Sequence, residues 1–574
     1  MTGQKTRRWL EDTGSSDILW RSGLFRPLLD LREALGHPSI RRAIQQDWTE
    51  SSAVLASLAA TASKQPLTAG TALIASSLQM IAAKKLEALW ALVLRFLGYQ
   101  PLAVETLLRH GRWTRAYLGA AGVDQVHDLH RLIASQPRPQ PTPEIFAFEG
   151  AATPRLPELL DITYRGVDIG RIALSNLLYR YKFRAFNIQE SDTHADMYRE
   201  LRRVQRNVHA AETLLTQTNP VLVFAIEKGL SPGAELFGAS AARGIPFIQQ
   251  TSSQNPSDFI LRRYGLENRH QHPFSLSPET WRHAKTMPWS ATHDQLLMDD
   301  FADGYLSGKW FNRKFLHEDR RVKSREEVFT QLGLDPRKRT AVVFSHVLWD
   351  ATFFYGRGLF EDYETWLTET VRAAYDNPAL NWVIKLHPDL TWKLKFEGFS
   401  GELRDQAVIE AAAGGKLPEH IRLVLPSTDI STYSFFGLTD YCLTVRGTIG
   451  IEMACHGVPV LTAGTGRYSG LGFTVDSASS EEFLHRVRHI QDHPPMTPAQ
   501  LELARRFAYA LFKLRPWPLR SFEVLPAERG RVTHPLEPKV LAHVTNPDAF
   551  FAAADLRELM GWIESGQTDY IRIG

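Results

Sequence analysis

Between Arg339 and Gly464, short apolar runs alternate with amphipathic stretches, and that alternation rules out most folds. RTAVVFSH, NWVIKLHP, IRLVLP, DYCLTVRG and VPVLTAG are of strand length and largely apolar, whereas EDYETWLTETVRAAYDN, STDISTYSFFGL and TIGIEMACHG read as helices. Strands that read as continuous apolar runs are buried on both faces, and strands separated by helices wind into a parallel α/β sheet.

The same grammar opens earlier in the chain. TALIASS predicts a strand, SLQMIAAKKLEALWALVLRFLG a helix ending at a glycine, and YQPLAVETL a second strand. Further short strands are expected near Gln125–Leu129 and Asp161–Tyr164. PVLVFAIE predicts a buried strand, followed by a helix in KGLSPGAELFGASAARG with Ser231 and Pro232 as cap and first position and Gly244 at its end, and then the strand IPFIQQ. The chain of 574 residues exceeds what one core supports, about 250–300 residues, so two Rossmann-like halves are expected. The division predicted is a helical N-terminal extension over 1–65, an N-terminal Rossmann-like lobe over 66–280, a helical connection over 281–336, a C-terminal Rossmann-like lobe over 337–515, and a tail over 516–574.

Composition narrows the functional classes. Hydrophobic residues make up 44% and charged residues 22%, as in ordinary globular proteins. A net charge of only +3, with both signs interspersed, gives no footprint for nucleic acid or an anionic membrane. Cys442 and Cys455 offer neither a disulfide framework nor metal-ligand spacing. No apolar run follows the basic N-terminus, and the apolar tract from Pro66 to Leu97 is broken by polar residues and by Lys84-Lys85. A cytoplasmic protein is expected, with peripheral contact at a membrane left open.

Ligands of doubly wound sheets sit at the carboxyl ends of the strands, which is where the candidate residues fall. In VIKLHP the strand carries Lys385 and His387 and is stopped by Pro388, so His387 lies at a carboxyl end, suited to donating to phosphate or, alternatively, to capping its own turn. In TVRGTIGIEMACHGVPV a strand ends at Arg446-Gly447, Thr448 is expected to cap a short helix, and Gly457 closes it. Free N–H groups and the positive helix end favour an anion there, with Arg446 adding a charged fork and no metal needed. Glu452 is expected either to accept from ribose hydroxyls or to serve as a first-turn acid. Ser345 and His346, with Asp350 and Tyr355, leave the first strand of this half on a loop at the same edge. Glu227, at the end of PVLVFAI, is a candidate general base, the alternative being a surface residue at a turn. His270 and His272 in ENRHQHP lack further spaced ligands for zinc and read as an exposed loop.

At VIKLHP and TVRGTIGIEMACHGVPVL the sequence resembles the C-terminal lobe of GT-B glycosyltransferases that make bacterial surface polysaccharide, especially the capsule group with Kdo- and sialic-acid-type transferases. TALIASSLQMIAAKKLEALWALVLRFLGYQP and AIEKGLSPGAELFGASAARGIPFI resemble their N-terminal lobe. The resemblance implies a GT-B fold, a nucleotide-sugar co-substrate and no further cofactor, a glycan or lipid-linked acceptor, and phosphate contacts from His387 with Pro388 and from Thr448. Arg446-Gly447-Thr448 stands where these families carry a run of two Ser/Thr, which counts against cytidine-monophosphate sugars as donors. Teichoic-acid-type CDP-alcohol phosphotransferases share the second lobe, and a catalytically idle nucleotide-sugar-binding scaffold is the reading from another class.

Overall fold

The structure is a computed structural model describing residues 38–307, 321–391, 403–524 and 540–572, apart from positions 79, 108–110, 152–154, 183–185, 256, 351, 357, 543 and 545; before residue 38 it describes 17, 21, 22, 27 and 28. The rest of the segment before residue 38, part of the helical extension expected over 1–65, lies outside the described residues.

The first sheet takes strands β1 (Gly70–Ser76), β2 (Tyr99–Glu105), β3 (Val126–Asp128), β4 (Pro220–Ala225), β5 (Phe247–Ser252) and β6 (Asp258–Tyr264). In space they run β6-β5-β4-β1-β2-β3. All neighbours are parallel except β5 and β6, which pair antiparallel. β1 and β4 are adjacent although far apart in sequence, so the sheet reverses its winding there, and their carboxyl ends border a natural crevice. The strand expected at Asp161–Tyr164 is absent: Tyr164 makes one bridge to Val167, because Arg165 and Gly166 both take positive φ and close a tight turn.

Helices α1 (Pro38–Ala62) and α2 (Ile81–Phe96) cover one face of this sheet, and α3 (Ile169–Arg180), α4 (Ser191–Thr218) and α5 (Gly233–Ala242) cover the other. The apolar tract seen in sequence is therefore core: fourteen of the sixteen α2 residues are buried. Its two lysines are neutralised inside the protein. Lys84 pairs with Glu87 and Ser76, while Lys85 meets Asp47 of α1 at 2.9 Å. A buried lysine needs such a partner, so α1 is a working wall of the lobe. α5 begins one residue later than its sequence predicts, with Pro232 as the cap position, and the Ser231 hydroxyl bonds the Glu235 carboxylate instead of a backbone N–H.

α6 (Pro278–Thr286) and α7 (Ala291–Leu306) lead into the second half. Trp281, Leu297 and Phe301 enter its core beside Ile451, Met453 and Phe507, so these helices are packed against the lobe that follows them. Its sheet takes β7 (Thr340–Phe344), β8 (Asn381–Lys385), β9 (Ile421–Val424), β10 (Tyr441–Thr444), β11 (Val460–Thr462) and β12 (Val475–Asp476). The spatial order is β12-β11-β10-β7-β8-β9, parallel throughout. α8 (Tyr363–Tyr375), α9 (Thr448–Cys455) and α10 (Pro498–Tyr509) pack on it. The helix expected in STDISTYSFFGL shrinks to one 3₁₀ turn, Thr432–Phe435. Its Ser, Thr and Asp side chains compete for backbone groups, as in Thr428 accepting from the Ile430 N–H.

The chain then returns to the first half. β13 (Pro516–Pro518) adds an antiparallel edge to β6, and α11 (Ala554–Ser565) places Leu556, Leu559 and Trp562 in the first core. Residues read from sequence as a tail thus complete the first lobe. The molecule is two Rossmann-like lobes, and among the described residues no helix is long and apolar enough to cross a membrane.

Candidate functional site

Adjacent parallel strands β8, β7 and β10 release three loops at one sheet edge, and two side chains knit them together. The Ser345 hydroxyl, just after β7, accepts from the His387 N–H after β8 at 3.0 Å. His346 reaches the other way: its Nε2 accepts from the Val445 N–H at 3.1 Å and lies 3.2 Å from the Thr444 hydroxyl. An acceptor at Nε2 puts the ring proton on Nδ1. Burial, reinforced by the charges of His387, Arg446 and Arg467, holds His346 neutral by pushing its pKa well below the ordinary histidine value. Stacked on Tyr363 at 4.6 Å, it is a fixed strut.

His387 is half-buried, and its Nδ1 accepts from the Asp389 N–H at 3.2 Å. This is the turn-capping contact weighed from sequence, and it leaves Nε2 as the protonated, donating nitrogen. Lys385 is buried, and its ammonium has no hydrogen-bond partner among the described residues, only the Phe435 ring at 5.7 Å. Burial lowers its pKa to about 8. Such a group is poised for an anion.

At α9 the cap is Gly447, in extended conformation, with Thr448 as the first helical residue, which corrects the expected Thr448 cap. No side chain caps the helix. The backbone is tightly confined: a Cβ on Gly447 would lie 3.2 Å from the Thr444 hydroxyl and 3.6 Å from His346, and one on Gly450 only 2.1 Å from the Tyr468 hydroxyl. That hydroxyl donates to the Gly447 carbonyl at 2.7 Å, holding the turn. Arg446 is buried, with Nη1 donating to the Tyr355 carbonyl and Nε unpartnered among the described residues. Glu452 is not at the crevice: it is fully buried and accepts from the Tyr305 hydroxyl of α7 at 2.6 Å. One residue deeper in the helix than the sequence reading placed it, it faces the lobe core.

The first lobe closes over this edge through the loop after β7. Phe353 is buried in the first-lobe core, and Arg171 of α3 donates to the carbonyls of Phe353 at 3.1 Å and Gly356 at 2.9 Å. Lys228 is enclosed by Phe237 and Tyr264 of its own lobe and by Phe354 and Tyr355 of the other, with Nζ 4.3–5.3 Å from the four ring centres. Burial lowers its pKa to about 7, against the opposing charge of Glu227. Glu227 follows β4; its N–H donates to Ser77 and its Oε1 accepts from Gly229 at 2.6 Å. His272 packs on Tyr355 at 4.5 Å and is pushed well below the ordinary value by burial and by Arg467, Lys228 and Arg446. The loop read as exposed is therefore half-buried at the lobe boundary.

Arg467, Lys228 and His272 had not been singled out for this site. Arg467 carried a signal in GTGRYSG, a glycine-rich loop after the β11 strand; its Nε has no partner among the described residues. A cavity of about 240 Å³ lies beside Arg446, walled by Tyr363, Trp366 and Phe360 and by Leu160 and Arg171 of the first lobe. Among the described residues, no three His, Cys, Asp or Glu side chains cluster as metal ligands do.

The family model described as capsule polysaccharide biosynthesis protein matches residues 318–504. That span holds Ser345, His346, Lys385, His387, Arg446, Thr448 and Arg467. No curated protein matches the chain. Among solved structures, the Thermosulfurimonas dismutans KpsC beta Kdo 2,4 transferase is 16% identical over 51% of this chain and 80% of its own, at TM-score 0.31. The beta Kdo 2,7 transferase of the same protein is 14% identical over 61% and 89%, also at 0.31. The UDP-GlcNAc 2-epimerase from Neisseria meningitidis is 11% identical over 77% and 97%, at 0.26.

Proposed function

We propose that the chain is a glycosyltransferase of surface polysaccharide synthesis, taking a nucleotide sugar as donor and a glycan or lipid-linked molecule as acceptor. The observation that carries this reading is the convergence of His387, Arg446 and the uncapped start of α9 at one sheet edge, with the unpartnered Lys385 ammonium on the adjoining strand. Buried cations without partners are costly alone and favourable beside an anion. A nucleotide phosphate held there meets backbone N–H groups, the positive helix end and charged donors, which stabilise the negative charge that grows as the glycosidic oxygen leaves. Arg446, Arg467 and Lys385 supply that charge, so the reaction proposed is metal-independent. The match of residues 318–504 to the capsule family supports the reading.

Thermal denaturation with UDP, GDP, CDP and CMP at millimolar concentration tests it, because a ligand of the folded state raises the melting temperature by mass action. At least one nucleotide is expected to stabilise the protein, and the matching nucleotide sugar to be turned over. No shift with any of the four refutes the donor site; release of a phosphorylated alcohol from a CDP-alcohol would replace glycosyl transfer with phosphotransfer.

A further inference from the structure

A second cavity, of about 320 Å³, adjoins the first and shares Leu160, Arg171 and Gly356 with it. Its lining is polar: Asp161, Thr163, Asp168, Arg269 and His270 with Arg171. All of these belong to the first lobe, and the second lobe contributes only the Gly356 turn. The cavity thus lies across a shared wall from the cavity beside Arg446.

Asp168 organises this pocket. Its Oδ2 accepts from the Nε2–H of His270 at 2.7 Å and from Nε of Arg269 at 2.9 Å. Burial alone would raise the Asp168 carboxyl, but these two hydrogen bonds and the charges behind them hold it well below the usual carboxylate range. A carboxylate only accepts, so Nε2 of His270 carries a proton, and in the neutral form of the ring the lone pair is on Nδ1. The His270 ring makes no other hydrogen bond among the described residues, and its side chain keeps 35% of its exposure. An imidazole oriented by a carboxylate and lining a cavity has the arrangement of a general base. Glu227 lines neither cavity and already holds the Gly229 turn beside Lys228.

Resting on the donor reading above, we propose that this cavity receives the acceptor hydroxyl and that His270, positioned by Asp168, removes its proton. The hydroxyl proton passes to Nδ1, the acceptor oxygen bonds the anomeric carbon, and the bond from that carbon to the phosphate oxygen breaks with its electron pair going to the phosphate. The resulting imidazolium is balanced by Asp168 and returns its proton to water. Water entering the same cavity is the simplest acceptor, so donor hydrolysis reports on the base without knowledge of the glycan.

The test uses the full chain with whichever nucleotide sugar the native protein hydrolyses. His270→Ala is expected to keep the nucleotide-induced rise in melting temperature and to lose hydrolysis by about 100-fold or more, the usual scale for a lost general base. Added imidazole should restore part of that rate, which a purely structural role would not permit. Asp168→Asn should lower kcat with little change in KM. His270→Ala turning over at the native rate, or Glu227→Gln losing turnover while His270→Ala keeps it, overturns the assignment. If the native protein binds nucleotides but hydrolyses no sugar, the base role falls and the binding site stands; if it binds none, both fall.

Discussion

Two side chains at the carboxyl end of β8, Lys385 and His387, differ in what they cost the fold. Lys385 is buried without a hydrogen-bond partner among the described residues, and its folded pKa of about 8 lies below its ordinary 10.5. Between those values the unfolded chain binds more protons than the folded one. Stability therefore rises as pH climbs through that window, and the whole penalty is present below about pH 8. Lys385→Met should raise the melting temperature at pH 7 and flatten its rise between pH 8 and 10, while shrinking the stabilisation by nucleotide. Loss of stability at pH 7 with an unchanged nucleotide effect would show the ammonium to be structural. His387 differs, being half-buried and bound to its own turn through Nδ1. His387→Ala should leave the fold intact and weaken nucleotide binding by about 1.5–3 kcal/mol, the scale of a hydrogen bond to a charged group, read as a raised nucleotide dissociation constant.

At the scale of elements, α9 shows packing deciding against propensity. Alanine is favoured over glycine inside a helix by about 1 kcal/mol. At Gly450, however, the added Cβ would stand 2.1 Å from the Tyr468 hydroxyl, which is buried and bonded to the Gly447 carbonyl. Gly450→Ala should therefore destabilise the protein by about 1–3 kcal/mol and weaken nucleotide binding as the turn opens, both measurable by denaturant unfolding with and without nucleotide. An unchanged or raised stability would mean that Tyr468 moves aside at no cost. Elements of this kind were readable in the sequence. β7, β8 and β10 are continuous apolar runs, and Pro388 and Gly447 mark where two of them release their loops. What escaped had no such mark. β13 is Pro516-Trp517-Pro518, a composition suited only to a sheet edge, and nothing local says which edge. Lys228, His272 and Arg467 come together from three loops on two lobes, and no spacing in the chain records how the lobes face. The burial of Glu452 turned on one residue of helix register.

For the molecule as a whole, the loop after β7 joins the carboxyl edge of the second sheet to the first lobe. It begins with Ser345 and His346, which knit the sheet edge, and ends by burying Phe353 in the opposite core. Two residues past Phe353 the Tyr355 carbonyl accepts from Arg446, so this guanidinium is held by a segment that also packs into the other lobe. Arg171 fastens that end through the carbonyls of Phe353 and Gly356. Arg171→Met keeps much of the aliphatic stem but leaves those acceptors without their cationic donor, at the cost of an unsatisfied buried group. The loop around residues 349–358 should then be cut faster by protease under native conditions, since local opening governs cleavage. Nucleotide affinity should fall as well, because the Arg446 anchor loosens with it. The two effects should appear together: faster cleavage with unchanged affinity would separate the lobes' contact from the donor site, and unchanged cleavage would show that Phe353 alone holds the loop.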